Sequence, residues 1–261
     1  MSLIVSKMDG FIGTLTVNRP EKFNALSNLL TEGIIAALDF FEQKEARVVV
    51  LRMVVTKGIW SAGHDITELP EKGKDPLDPK DSLRRLIAKM QSVSYPIIAM
   101  IDGDVYGGAN EVVAVCDHAI ASCCVRFRFT PARMGVPYDA VGLQNMINAI
   151  GLRATKEMVF TADYRDADWA EKRGLINEAV LSVHLESKTY EWAEMIAKNA
   201  PLAIHSMKYT LNALAEKQPL SFPAKCHIEF LRREAYSSDD YENAKLAVMS
   251  KPRREPVFKG E

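Results

Sequence analysis

The sequence predicts an α/β protein whose last third is helical. Up to about residue 180, short runs rich in β-branched residues, such as residues 48–54 and 97–101, alternate with segments of helical periodicity. From Val141 onward the pattern is almost wholly helical, with Gly174 ending one helix before a strand at residues 175–180, and the rest of the chain is a helical extension. Strand–helix–strand order of this kind indicates parallel strands joined by right-handed crossovers. We therefore expect a core over residues 1–180 and a helical region over residues 181–261.

Turn and capping residues set the expected bounds of each element. Asp9-Gly10 separates strands predicted at residues 3–7 and 12–17, and Ser27 or Asn28 begins a helix that ends near Gln43. A charged loop at residues 70–80 precedes a helix that begins at Asp81 or Ser82. The remaining predictions are a helix from Gly107-Gly108 to about residue 115, strands at 119–121, 126–129 and 175–180, and helices at 185–198, 201–216, 223–236 and 239–250.

Composition and charge argue against several classes of function. The 261 residues carry a formal net charge of −1, so we expect no nucleic-acid partner. No apolar run approaches the ~20 residues that span a bilayer. The N-terminus also lacks a basic-then-apolar leader, and we expect a cytoplasmic protein with no membrane partner. The four cysteines form no C-x-x-C pair, and we expect reduced, mostly buried thiols.

Two glycine-containing turns are the strongest functional signal. The first lies in Ala62-Gly63-His64-Asp65-Ile66, and the second in Gly107-Gly108, about forty residues later. Each interrupts a buried-looking strand where a helix can begin, so its backbone N–H groups lack intrahelical partners. Brought together, two such turns can direct two N–H donors at one oxygen and stabilise an oxyanion. Neither G-x-x-x-x-G-K-[ST] nor G-x-G-x-x-G occurs, which argues against a nucleotide hydrolase or a Rossmann dehydrogenase.

Each candidate residue also has a structural interpretation. Gly107-Gly108 can be a tight turn that allows close packing, and His64 can be a hydrogen-bonded structural residue. Asp65 is well placed to cap a helix that follows it. Glu111 lies one helical turn after Gly108, where it can face a pocket or satisfy a helix-end donor. Tyr138 lies in an irregular segment before a helix, where it is either a packing residue or part of a site.

Taken in order, these runs resemble the crotonase (enoyl-CoA hydratase/isomerase) superfamily over nearly the whole chain. One short motif of this kind is weak, but the ordered set is specific. The matching motifs are Asn18-Arg19-Pro20 with Asn24-Ala25-Leu26, Ser61-Ala62-Gly63-His64-Asp65-Ile66, Asp102-Gly103 through Gly107-Gly108-Ala109-Asn110-Glu111 with Cys116-Asp117, Pro201-Leu202-Ala203, and the tail Arg254-Glu255-Pro256-Val257-Phe258-Lys259-Gly260.

The resemblance implies a crotonase-like ββα superhelix with a helical C-terminal region for trimerisation and active-site capping. It implies coenzyme A thioester substrates, no metal and no biotin, and assembly as a trimer or a dimer of trimers. By the same resemblance, the backbone N–H groups of His64 and Gly108 form the hole for the thioester oxygen. The implied substrate-binding residues are Lys22, Phe23, Ala25, Ala62, Gly63, Asp65, Ile66, Gly107, Thr130, Pro131 and Arg254, with Lys22 and Arg254 near phosphates and Arg254 contributed by a neighbouring subunit.

The motifs also distinguish among crotonase chemistries. Hydratases of the superfamily use two glutamates, and Glu111 occupies the first position. The stretch that would carry the second, residues 129–135, has no carboxylate. The chain instead resembles the methylmalonyl-CoA decarboxylase branch. The shared features are residues 61–66, Glu68-Leu69-Pro70, Asp75-Pro76-Leu77, Thr130-Pro131 and Met134-Gly135-Val136-Pro137-Tyr138. Asn110 departs from the superfamily, in which bulkier apolar residues are usual at this position. The sequence therefore does not define how Asn110 affects the acyl pocket.

Loss of CO₂ from a malonyl thioester needs no strong base, because the electron pair flows into the thioester carbonyl and forms an enolate. We therefore expect decarboxylation of methylmalonyl-CoA, or of a related malonyl-CoA thioester, to propionyl-CoA. His64, Gly108, Tyr138 and Glu111 are the candidate catalytic residues, and Tyr138 orients the departing carboxylate. The alternatives are an enoyl-CoA hydratase or isomerase that uses Glu111, a thioester hydrolase, and a non-catalytic acyl-CoA-binding module.

Overall fold

The computed structural model describes residues 2–78, 80–215 and 222–250, together with residues 252, 254 and 256. The strands are β1 (Ile4–Asp9), β2 (Ile12–Val17), β3 (Val48–Met53), β4 (Ile59–Ser61), β5 (Ile97–Ile101), β6 (Asp104–Tyr106), β7 (His118–Ser122), β8 (Arg126–Arg128), β9 (Arg165–Asp166) and β10 (Glu178–Val180). The helices are α1 (Asn28–Gln43), α2 (Ser82–Ser92), α3 (Ala109–Val115), α4 (Ala140–Thr161), α5 (Ala167–Arg173), α6 (Ser182–Ala197), α7 (Pro201–Ala215), α8 (Phe222–Tyr236) and α9 (Asp239–Met249).

The strands form two sheets. A six-stranded sheet has the order β1-β2-β3-β5-β7-β10, in which β1 and β2 form an antiparallel hairpin and the other neighbours are parallel. A four-stranded sheet has the order β4-β6-β8-β9, and β4, β6 and β8 are parallel. The chain therefore repeats one unit three times: a strand of the large sheet, a strand of the small sheet, and a helix. This repeat confirms the predicted α/β fold with a ββα superhelix.

Alternation along the strands places the core on both faces of the large sheet. In β3, Val49 and Leu51 face the main core, while Val48 and Val50 face a second apolar cluster that includes Leu185 of α6. A strand buried on both faces explains why residues 48–53 are almost continuously apolar.

Local capping agrees with the predicted helix starts. The Ser27 hydroxyl accepts from Leu30 N–H at the start of α1, and Asp81 accepts from Leu83 N–H at the start of α2. One prediction about burial was wrong. Cys123, Cys124 and Cys226 are exposed, and only Cys116 is partly buried. A turn after β7 holds the adjacent pair, and turns carry their side chains to the surface.

The C-terminal helices expose large apolar side chains. Leu202 and Tyr209 of α7 are 82% and 72% exposed, and Phe222 of α8 is 80% exposed. Exposed apolar side chains become an association face where they form a contiguous patch. The division at residues 180 and 181, and self-association through the second part, stay predictions. No helix in the described part of the chain is long and apolar enough to cross a membrane.

Candidate active site

The small sheet brings three separate segments to one edge. Because β4, β6 and β8 are parallel neighbours, their carboxyl ends lie side by side. The segments that leave these ends are residues 62–66, residues 107–108 and residues 130–138. The two predicted turns and Tyr138 therefore meet in space, although up to 76 positions separate them in the sequence.

Backbone hydrogen bonds with Leu26 hold the first turn in place. Leu26 N–H donates to Gly63 O at 2.7 Å, and Asp65 N–H donates to Leu26 O at 3.1 Å. His64 lies between these two bonds, and its own N–H donates to no other group in the described residues. Gly63 has a φ of +83°, and a Cβ there would lie 2.6 Å from Tyr106 O. Only glycine accommodates both the left-handed backbone and this close approach.

The second turn lies directly against the first. Gly107 has a φ of +51°, and its N–H donates to Arg128 O of β8 at 2.9 Å. The next amide, Gly108 N–H, donates to no group in the described part of the chain. A Cβ built on Gly63 would lie only 3.1 Å from Gly108 N. Two backbone donors without internal partners therefore border the same space.

That space is an apolar pocket of about 490 Å³ including open solvent. It brings together the predicted residues Ala62, His64, Ile66, Gly107, Gly108, Thr130, Pro131 and Tyr138. Its other walls are Leu69, Pro76, Leu77, Leu83, Met134 and Val136. No acidic side chain lines this pocket within the residues that the structure describes.

A larger cleft adjoins the pocket. It measures about 2080 Å³ including open solvent, and the two cavities share Ala62, His64, Ile66, Thr130 and Met134. The predicted residues Lys22, Phe23, Ala25, Asp65 and Arg254 line this cleft. Two predicted site residues, Gly63 and Glu111, line neither cavity. The tail motif after Arg254, apart from Pro256, falls outside the described residues.

Glu111 lies behind the pocket wall in a saturated hydrogen-bond network. Its side chain is fully buried, and both of its oxygens accept two bonds. Arg84 donates to Oε1 at 2.8 Å and also to Oε2, Tyr138 OH donates to Oε2 at 2.5 Å, and Asn145 Nδ2 donates to Oε1 at 2.8 Å. Arg84 also faces Asp139 at 3.4 Å. A carboxylate held in this way has little capacity left for another proton donor.

Tyr138 connects this network to the pocket. A Cβ built on Gly108 would lie 3.5 Å from the Tyr138 hydroxyl, so the hydroxyl lies beside the second turn. Burial, reinforced by the charge of Glu111, raises the pKa of Tyr138 well above its usual value. The side chain is therefore a neutral hydroxyl. The Arg84 guanidinium is held in the charged form, because its bonds to Glu111 outweigh the effect of burial and raise its pKa.

Both ring nitrogens of His64 have polar partners of their own. Its Nε2 lies 3.2 Å from Asp81 Oδ2, and Nδ1 lies 3.2 Å from Asp65 O. Burial disfavours the charged ring, but the hydrogen bond and charge of Asp81 outweigh burial and raise the pKa of His64. In this arrangement the ring braces the first turn against the start of α2.

Sequence reasoning missed Arg84 and Asn145, and it did not identify which residues of the C-terminal helices contact the loop before α2. The signal for Arg84 is weak but real, because it lies three residues before Ile87 on the buried face of α2. The loop before α2 is held from the far end of the chain. Tyr241 OH donates to Pro70 O at 3.0 Å, and Arg232 pairs with Asp75 at 2.5 Å. No local pattern reveals these long-range contacts.

Comparison with known proteins identifies the family of this chain. The model of the enoyl-CoA hydratase/isomerase family matches residues 8–260. The chain belongs to the enoyl-CoA hydratase/isomerase family. The resemblance drawn from the motifs is confirmed, and this hydratase/isomerase-family chain is a crotonase-superfamily enzyme.

Several relatives of this family member are similar over almost their whole length. Methylmalonyl-CoA decarboxylase from Escherichia coli (strain K12) is 36% identical over 249 residues, which cover 95% of each chain. Short-chain-enoyl-CoA hydratase from Clostridium acetobutylicum is 27% identical over 253 residues, again 95% of each chain. A solved structure of methylmalonyl-CoA decarboxylase in complex with 2-nitronate-propionyl-CoA has a TM-score of 0.96 at 35% identity, covering 100% of this chain and 99% of the other.

Proposed function

We propose that this enzyme decarboxylates methylmalonyl-CoA to propionyl-CoA, or a related malonyl-CoA thioester to the corresponding acyl-CoA. The observation that carries the proposal is the pocket itself. Two backbone N–H groups, from His64 and Gly108, and one neutral hydroxyl, from Tyr138, border an apolar space that no carboxylate of the described residues lines. The similarity to methylmalonyl-CoA decarboxylase and to its complexes with coenzyme A derivatives supports the choice of substrate.

In the proposed reaction the bond between the α-carbon and the carboxylate breaks, and CO₂ departs. The electron pair moves into the thioester carbonyl, and the resulting enolate oxygen receives hydrogen bonds from His64 N–H and Gly108 N–H. The enolate carbon then takes up a proton. The thioester is the electron acceptor, so the proposed reaction needs neither a metal nor biotin.

Tyr138 orients the carboxylate in this proposal. Its O–H donates to Glu111 in the substrate-free enzyme, and it turns to donate to the substrate carboxylate on binding. Glu111 then keeps both bonds from Arg84 and the bond from Asn145. Arg84 Nη2 donates to the Tyr138 hydroxyl at 3.5 Å, but its charge is paired with Glu111. The hydroxyl therefore holds the carboxylate perpendicular to the carbonyl plane without an unpaired cation beside it. A cation there would stabilise the ground state and slow the loss of CO₂.

The same network argues against the hydratase alternative. Addition of water across a C=C bond requires a base for the water and an acid for the α-carbon. Glu111 is fully buried, outside the pocket lining and bonded to four donors. It therefore acts as a support for Tyr138 in the proposed enzyme.

Tyr138→Phe tests the proposal. We expect kcat for methylmalonyl-CoA to fall about 100-fold, because the carboxylate loses its orientation, while KM changes little. Tyr209→Phe is the matched control, since Tyr209 is 72% exposed on α7. Products from malonyl-, methylmalonyl-, ethylmalonyl- and crotonyl-CoA are identified by mass. Hydration of crotonyl-CoA, release of free coenzyme A without CO₂, or tight binding without turnover would each contradict the proposal in favour of one alternative.

A further inference from the structure

The donor amide of Gly108 belongs to a peptide unit with little intrinsic restraint. A planar peptide carries the Gly107 carbonyl and the Gly108 N–H on opposite sides, so neither can turn without the other. Both flanking residues are glycines, and Gly107 is in the left-handed region at φ +51°. Because glycine populates many backbone conformations, a Gly-Gly peptide can rotate far more easily than others. A donor that must stay directed into the pocket therefore needs an external restraint.

Asn110 supplies such a restraint. Its side-chain Nδ2 donates to Gly107 O at 3.0 Å and to Arg128 O at 3.0 Å, and its backbone N–H also donates to Gly107 O at 3.1 Å. Arg128 O is the same carbonyl that accepts Gly107 N–H. One amide group therefore joins both sides of the second turn to β8. The opposite orientation of the amide would place Oδ1 against these carbonyl oxygens, so the network fixes the assignment.

The burial of Asn110 is energetically unfavourable, and this indicates a functional role for the residue. Asn110 is fully buried, and its Oδ1 has no hydrogen-bond partner among the described residues. A buried acceptor without a partner is destabilising, and an apolar side chain of similar size would avoid it. Asn110 lines neither the pocket nor the cleft in the described structure, so it does not shape the acyl pocket. Asn110 therefore affects the site through its hydrogen bond to the Gly107 carbonyl.

We propose that Asn110 is a positioning residue that holds the Gly107–Gly108 peptide with its N–H directed into the pocket. A hydrogen bond accepted by a peptide carbonyl also polarises the peptide and strengthens its N–H as a donor. Asn110 thus orients and strengthens one of the two donors for the thioester oxygen. The inference rests on the proposed function only in that this oxygen occupies the pocket, and it holds for any thioester reaction there.

Asn110→Leu removes the side-chain donors while keeping a similar volume. We expect kcat to fall about 10- to 100-fold with little change in KM, less than the 100- to 1000-fold expected when an oxyanion donor is deleted. Asn212→Leu is the control, because the Asn212 side chain also donates to a backbone carbonyl, Gln91 O at 3.0 Å, and lines neither the pocket nor the cleft. Circular dichroism in the near and far ultraviolet shows whether each variant keeps the native fold.

A spectroscopic measurement separates positioning from general destabilisation. The infrared stretch of propionyl-CoA labelled with ¹³C at the thioester carbonyl is recorded free and bound to each protein. We expect the native enzyme to lower this frequency on binding and Asn110→Leu to lower it less, whereas Asn212→Leu matches the native enzyme. If Asn110→Leu does not fold, Asn110→Val gives the same test with a smaller apolar side chain that cannot donate.

The outcomes distinguish the two proposals. An unchanged carbonyl shift in the folded Asn110 variants would overturn the role of Asn110, whatever reaction the enzyme performs. A native enzyme that shifts the carbonyl but releases no CO₂ from any malonyl thioester would overturn the proposed function and leave the role of Asn110 supported.

Discussion

Replacing Arg84 by methionine tests the network behind the pocket. The Arg84 and Glu111 side chains are 8% and 0% exposed, so their ion pair is shielded from water. Arg84 also faces Asp139, whose side chain is 9% exposed. Methionine has a similar length and fills the space, but it leaves Glu111 and Asp139 buried without their shared cation.

The expected magnitude follows from this burial. Removing one partner of a buried ion pair costs about 3–5 kcal/mol, since the other charge stays desolvated and unpaired. We expect the upper part of that range, because Arg84 serves two carboxylates. For a chain of this size, a loss of about 4–5 kcal/mol at about 2–4 °C per kcal/mol gives a fall in Tm of roughly 8–20 °C.

Urea denaturation of a double-mutant cycle measures the effect. The double variant Arg84→Met/Glu111→Gln removes both charges of the pair, while the amide introduced by Glu111→Gln would still offer a carbonyl to Tyr138 or Asn145. We expect the double variant to recover about 2–3 kcal/mol of the loss in the single variant. A single variant within about 1 kcal/mol of the native protein, or a double variant no more stable than the single one, would refute this account of the network.

Two further predictions concern the first turn. Gly63→Ala should lower the stability and, in the protein that stays folded, should lower kcat at least about 100-fold, because its Cβ would meet Tyr106 O at 2.6 Å and displace the donor amides; native-like steady-state kinetics would contradict this. Asp81→Asn keeps the cap of α2 but removes the charge facing His64. Since the pKa of His64 is raised, the stabilisation from this pair is complete below the usual histidine pKa and is lost as pH rises through the higher folded value. The difference in unfolding free energy between native protein and variant should therefore shrink as the pH rises above the usual histidine pKa of 6.5, and a difference that does not vary with pH would count against the pairing.

The sequence was sufficient for the large sheet and the helices, because each has a strong local signal. Residues 48–53 are apolar on both faces, and Ser27 and Asp81 are caps with a specific geometry. The small sheet was missed as a sheet. Its strands β4, β6 and β9 have only two or three residues each, too few for any period to emerge, and their pairing joins segments distant in sequence.

The site shows the same difference between features with a local sequence signal and features that depend on long-range contacts. The glycines at 63 and 107 could be identified because left-handed turns demand glycine, and both have positive φ. The partners of Glu111 could not, because Arg84, Tyr138 and Asn145 lie on separate elements 27 to 34 positions away. The sequence marks Asn110 as a departure from the superfamily, but it does not define the consequence for the acyl pocket. The structure places it against backbone carbonyls instead of in the pocket.

Glu111 and Asn110 occupy neighbouring positions of α3, and together they explain how one scaffold can change its chemistry. A glutamate at this position can serve as a base only if it reaches the substrate with a free lone pair. Here Arg84 neutralises it and four donors saturate it, so its remaining influence passes through the Tyr138 hydroxyl. Asn110, in turn, acts on the adjacent peptide through Gly107 O. The pocket is thereby left with donors and no base. Such a pocket suits a reaction whose substrate brings its own electron pair in a carbon–carboxylate bond and needs only a place for the resulting negative charge.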